Sequence, residues 1–69
     1  MIKKSDFVVG SIYSCTDLGT GSKTYYILVN KRSLDAEFRR LTNMESRYYF
    51  NYDQLVAMQE FEYVWEKES

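Results

Sequence analysis

Arg39, Arg40 and Arg47, with Tyr48 and Tyr49 directly after the last, are the residues of this chain best equipped to hold a partner. Arg offers a planar fork of donors, Tyr a rigid ring with a polar tip, and both types are enriched at binding hot spots. The same two types on exposed strands can hold single-stranded nucleic acid, with rings stacked on bases and guanidinium groups on phosphates. Asp35, Glu37 and Glu45 interrupt the basic run, and the chain as a whole carries a net charge of −1. Such a balance repels a polyanion at long range. Another protein is therefore the favoured partner and nucleic acid the alternative.

Other constellations carry less chemistry. Glu60, Glu62 and Glu66 recur at alternate or near-alternate positions, which places them on the solvated face of a terminal strand. Read functionally, they form an acidic strip competing for a basic surface. Gly19-Thr20-Gly21-Ser22-Lys23-Thr24 superficially suggests a phosphate-binding loop. That motif needs Gly directly before the Lys and another five residues earlier, followed by a helix. Here Ser22 and Asp17 hold those places and a strand follows, so the segment reads as a hairpin tip. Cys15 has no His, basic residue or helix start nearby in sequence to activate it. It is expected to be a small apolar residue, dispensable for activity.

The composition removes several function classes. With no His, the chain lacks the usual general base and the commonest metal ligand. One Cys rules out an internal disulfide and a thiolate zinc cluster. The carboxylates lack calcium-loop spacing. No catalytic, metal or cofactor-binding residues are expected, and the chain reads as a non-enzyme. The 69 residues form a single domain, 1–69, which at this size buries roughly 60% of its unfolded surface. Seven Tyr, four Phe and one Trp supply unusually large buried area for that length. No apolar run is long enough to span a membrane. Lys3 and Lys4 precede a polar Ser5-Asp6 pair, not an apolar export segment. With one Cys, this places the protein in the cytoplasm. Charge is uneven: residues 1–32 balance to +3 and residues 33–69 to −4.

The elements that must position these residues are mostly strands. Phe7–Cys15 reads as a strand bent or bulged at Gly10, and Asp17–Ser22 as a turn. Thr24–Asn30 is almost wholly β-branched or aromatic and apolar on both faces, which predicts a central strand. Residues 33–42 fit two readings. Ser33 with Leu34, Phe38 and Leu41 suits a capped helix, while Glu37–Thr42 can pair with Arg47–Tyr52 across a turn at Asn43–Ser46. The hairpin is preferred because the aromatic strand after the turn needs a neighbour; it would set Arg39 or Arg40 near Arg47. One helical turn is expected near residues 53–58, capped by Asp53, with Leu55 and Met58 inward. In the last strand, 60–66, Phe61, Tyr63 and Trp65 share a face. Residues 67–69 read as dispensable. Adjacent strand residues face opposite ways, so one Tyr of Tyr25-Tyr26 and one of Tyr48-Tyr49 must point away from the core.

The opening Phe7-x-x-Gly10-x-Ile12-Tyr13 and the short turn before the last strand resemble those of small SH3-like β-barrels. The resemblance implies a mainly β fold, a five-stranded barrel with one helical turn. Such barrels host protein binders, nucleic-acid binders and inhibitors alike, so it assigns no functional residue. The reading is a small non-enzymatic binding module acting through an aromatic and charged surface. It resembles accessory or inhibitory proteins of phages and mobile elements. A nucleic-acid-binding barrel, or a subunit that self-associates into a homodimer through exposed edges, is the alternative.

Overall fold

The structure is a computed structural model that describes residues 4–55 and 62–68. Five antiparallel strands form one sheet: β1 (Ile12–Asp17), β2 (Lys23–Lys31), β3 (Asp35–Arg40), β4 (Asn43–Asn51) and β5 (Tyr63–Lys67), in the order β4-β3-β2-β1-β5. The fold is therefore mainly β. The apolar strand expected at 24–30 is indeed central. Residues 33–42 form a strand and not a helix, because alternation of Ala36 and Phe38 inward with Glu37 and Arg39 outward satisfies a sheet. Residues 52–55 are helical. The remainder of the expected turn, Val56–Met58, lies outside the described residues, as do Glu60 and Phe61.

Two boundaries differ from expectation. The first strand begins at Ile12, not Phe7. Gly10 takes φ +91°, a conformation that favours glycine, and its N–H donates to the Leu28 carbonyl at 2.8 Å. The segment before it breaks into a 3-10 turn, Lys4–Asp6, that brings Phe7 over the core. The β3–β4 connection tightens to Leu41-Thr42, and Asn43–Ser46 belong to β4 despite their turn-forming types. A register shift between Arg39 and Arg40 absorbs the difference. The five expected strands are present in one antiparallel sheet that is not closed, with β4 and β5 as its outer strands.

Curvature brings the two outer strands together through their side chains. Phe50 of β4 and Trp65 of β5 have ring centroids 5.4 Å apart. Phe38 sits at the hub, fully buried, with the rings of Phe7, Tyr13, Tyr26, Phe50 and Trp65 around it. Leu28, Ala36, Tyr52 and Leu55 complete the buried hydrophobic interior among the described residues. The Tyr13 hydroxyl, also buried, accepts from the Val8 N–H at 2.7 Å and donates to the Asp6 carbonyl at 2.7 Å, pinning the N-terminal turn. No helix among the described residues is long and apolar enough to cross a membrane.

Candidate functional site: an aromatic groove between the outer strands

The pleat sorts the inward residues first. Tyr13↔Tyr26 and Cys15↔Trp65 are cross-strand neighbours, as are Tyr26↔Arg40 and Phe38↔Tyr48. Tyr26, Phe38 and Trp65 are buried, so Cys15, Arg40, Tyr48, Phe50 and Tyr63 share the concave face with them. Towards its middle this face is sealed. Between β4 and β5, where no strand-to-strand bonding closes the sheet, it opens into a groove of about 300 Å³ lined by Cys15, Tyr26, Tyr48, Phe50, Tyr63 and Trp65.

Ring geometry fixes the groove's walls. Tyr48 and Phe50, two apart on β4, are stacked at an interplanar angle of 7°. Tyr26 meets Tyr48 edge-on at 5.5 Å and lies against Trp65 at 5.4 Å with the rings tilted by 31°. These offset and edge-to-face contacts hold the side chains in place without filling the space between them. Burial pushes the Cys15 thiol up to about 11, with the Asp17 carboxylate adding to the effect, so at neutral pH it is a protonated, weakly polar wall.

Two donors at this site lack acceptors. Trp65 is 3% exposed, and its indole N–H has no hydrogen-bond partner among the described residues. The Arg40 Nε–H is likewise buried and unpaired. The Arg40 guanidinium lies 5.4 Å from the Tyr48 ring centroid. It also sits beside the Tyr26 hydroxyl: burial raises the Tyr26 pKa, and the guanidinium pulls the other way. On its far side Arg40 lines a second recess, of about 330 Å³, with Lys23, Thr24, Tyr25, Leu41 and Thr42.

The five contact residues expected from the sequence are divided between two faces. Arg40 and Tyr48 stand at the groove. Arg39, Arg47 and Tyr49 point outward: Arg39 lies directly opposite Arg47, and Glu37 opposite Tyr49. Like charges placed so repel; Glu37, 3.9 Å from Arg39, offsets this. Tyr49 is covered on one side by Arg32, 5.1 Å from its ring, and Asp35 holds that Arg with bonds of 2.6 and 3.0 Å. As the pleat requires, the outward members of the two tyrosine pairs, Tyr25 and Tyr49, are exposed.

The acidic strip is interrupted. Glu66 is exposed on the outer face of β5, opposite Ser14, and Glu62 lies in the turn before β5; Glu60 is outside the described residues. Next on the Glu66 face comes Glu68, whose carboxylate accepts from Ser14 and pairs with Lys23 at 3.5 Å. Among the described residues no three of His, Cys, Asp and Glu cluster as metal ligands would.

The sequence places Tyr63 and Trp65 on one inward face of the last strand, Phe50 in the strand after the turn and Cys15 at a strand end, and does not bring them together as a groove. Their alternation, 48 with 50 and 63 with 65, was the available signal: two outer strands each present a pair of rings to one face. No family model matches the chain, and no curated protein or solved structure matches it either.

Proposed function

We propose that this protein is a small binding module that recognises another protein by receiving an apolar side chain in the aromatic groove. The observation that carries this reading is the groove itself. Six side chains from four strands surround about 300 Å³ of open space, in a domain with little core to spare. Rings held rigidly by their neighbours lose little freedom on binding, which is why Tyr and Trp dominate hot spots. The strand order, with the last strand returning to the first after a helical turn, supports reading the domain as an SH3-like barrel left open at one seam. Such a module fits an accessory or inhibitory role of the kind carried by small phage and mobile-element proteins.

The test is selection of peptides from a random display library on the immobilised protein, followed by titration against its single Trp. Selected peptides should carry a large apolar residue, shift the Trp65 emission and lose affinity when Tyr48 is changed to Ala. Peptides that bind the Tyr48→Ala variant as well as the parent, with Trp65 emission unmoved, place recognition elsewhere.

A further inference from the structure

The proposal that the groove receives a protein side chain leaves open what stands next to that side chain, and the charges around the groove bear on this. The twelve residues lining the groove and the recess beside it include two cations, Lys23 and Arg40, and no carboxylate. Lys23 is already paired with Glu68. Arg40 has no ion pair with any described acid, and its contacts are the Tyr48 face and the neighbouring Tyr26 hydroxyl. It stands between the two openings, adjoining the groove through Tyr26 and Tyr48 and lining the recess directly. Trp65 lines the groove with its ring, while its indole N–H is buried out of a ligand's reach.

We propose that the groove and recess together form a docking site for an acidic segment of a partner protein, with an aromatic or large aliphatic residue next to an Asp or Glu. The apolar side chain enters the groove against Tyr48, Phe50 and Trp65. The neighbouring carboxylate accepts from the Arg40 guanidinium at the lip. A hydrogen bond to a charged group is worth more than a neutral one, so a ligand that brings a carboxylate to Arg40 gains more than one that only fills space. Charge complementarity favours a carboxylate over a phosphate backbone. Nucleic-acid affinity grows with the number of phosphates neutralised, and the single cation beside the groove that is without an ion pair neutralises very few.

This inference rests on the groove-binding reading, and the experiment separates the two. Three short peptides, capped at both ends, are titrated against Trp65 fluorescence: one with Phe flanked by Asp, one with those Asp residues replaced by Asn, and one with the Phe replaced by Ala. An oligothymidylate of similar length is titrated in parallel. The Asp-Phe peptide should saturate. The Asn peptide should bind about tenfold more weakly, the worth of one charge-assisted hydrogen bond, and Arg40→Gln should erase that difference while the preference for Phe over Ala persists. Equal binding of the Asp and Asn peptides overturns the acidic segment and leaves the groove reading standing. Loss of the preference for Phe overturns both. Tighter binding of the oligothymidylate, with a salt slope that falls by about one unit in Arg40→Gln, overturns the peptide in favour of nucleic acid. The Asp-against-Asn comparison uses the unaltered protein, so it decides the matter even if Arg40→Gln folds poorly.

Discussion

The buried Ser14 hydroxyl donates to the Glu68 carboxylate at 2.6 Å, across 54 positions of sequence. Ser14 stands on the outer face of β1, and the Glu68 N–H bonds the Ile12 carbonyl at 2.8 Å, so side chain and backbone fasten the same chain end. Glu68 is therefore bonded into the sheet, and this bears on the expectation that residues 67–69 are dispensable.

That bond sets a pH dependence. The Ser14 hydroxyl, helped by Lys23, holds the Glu68 pKa below the usual carboxylate range. A carboxylate with a depressed folded-state pKa contributes stability that is complete above its ordinary value, about 4.3, and is lost as pH falls through the folded value. Glu68→Gln should be less stable than the parent at pH 7, and the gap should begin to narrow only as pH falls below the ordinary carboxylate value of about 4.3. Urea unfolding at pH 7 and below that value measures it; a gap that is constant with pH would contradict the assignment.

Tyr13→Phe removes one oxygen and leaves the Val8 N–H and the Asp6 carbonyl without the partner they now share. The cost should be about 1–3 kcal/mol. Hydrogen exchange at the Val8 amide should accelerate, while amides in β3 keep their protection relative to global stability.

Leu28 is fully buried on the central strand. Truncation to Ala should cost about 2–5 kcal/mol, a large fraction of what a domain this small holds in reserve. A thermal melt close to the parent's would mean that the strand is not where the core is anchored.

The Cys15 thiol, raised to about 11 by burial and then by Asp17, should alkylate slowly at neutral pH. Its rate should climb with pH towards that value. Because Cys15 lines the groove, a bound peptide should slow the reaction further. Alkylation at the rate of a free thiol, unaffected by peptide, would argue against both placements.

What could be read from the sequence was what local patterns encode. Thr24–Asn30 is apolar on both faces, and only a central strand accommodates that. The β3–β4 pairing was visible in Glu37–Thr42 and Arg47–Tyr52. Its turn was not, because Asn43–Ser46 carry turn chemistry that the register shift at Arg39/Arg40 overrides. The same shift bears on the site. Arg39 and Arg40 are adjacent in sequence, as are Tyr48 and Tyr49, and a pleat sends neighbours to opposite faces, so a cluster in the sequence becomes two half-clusters in space. The groove draws on β1, β2, β4 and β5, and no single segment could announce it.

The order of pairing has a consequence in time. β1 to β4 are joined by successive hairpins, so each can find its neighbour over a short loop. β5 alone must close a long one, Asp17 meeting Tyr63, and closing long loops is what slows β-rich chains. During synthesis the four-strand meander can assemble before Trp65 exists. The groove has one wall from that meander and one from the straggler. Recognition therefore becomes available only at the last step of folding, and a chain arrested before that step presents β1 with a bare edge where its partner strand should be.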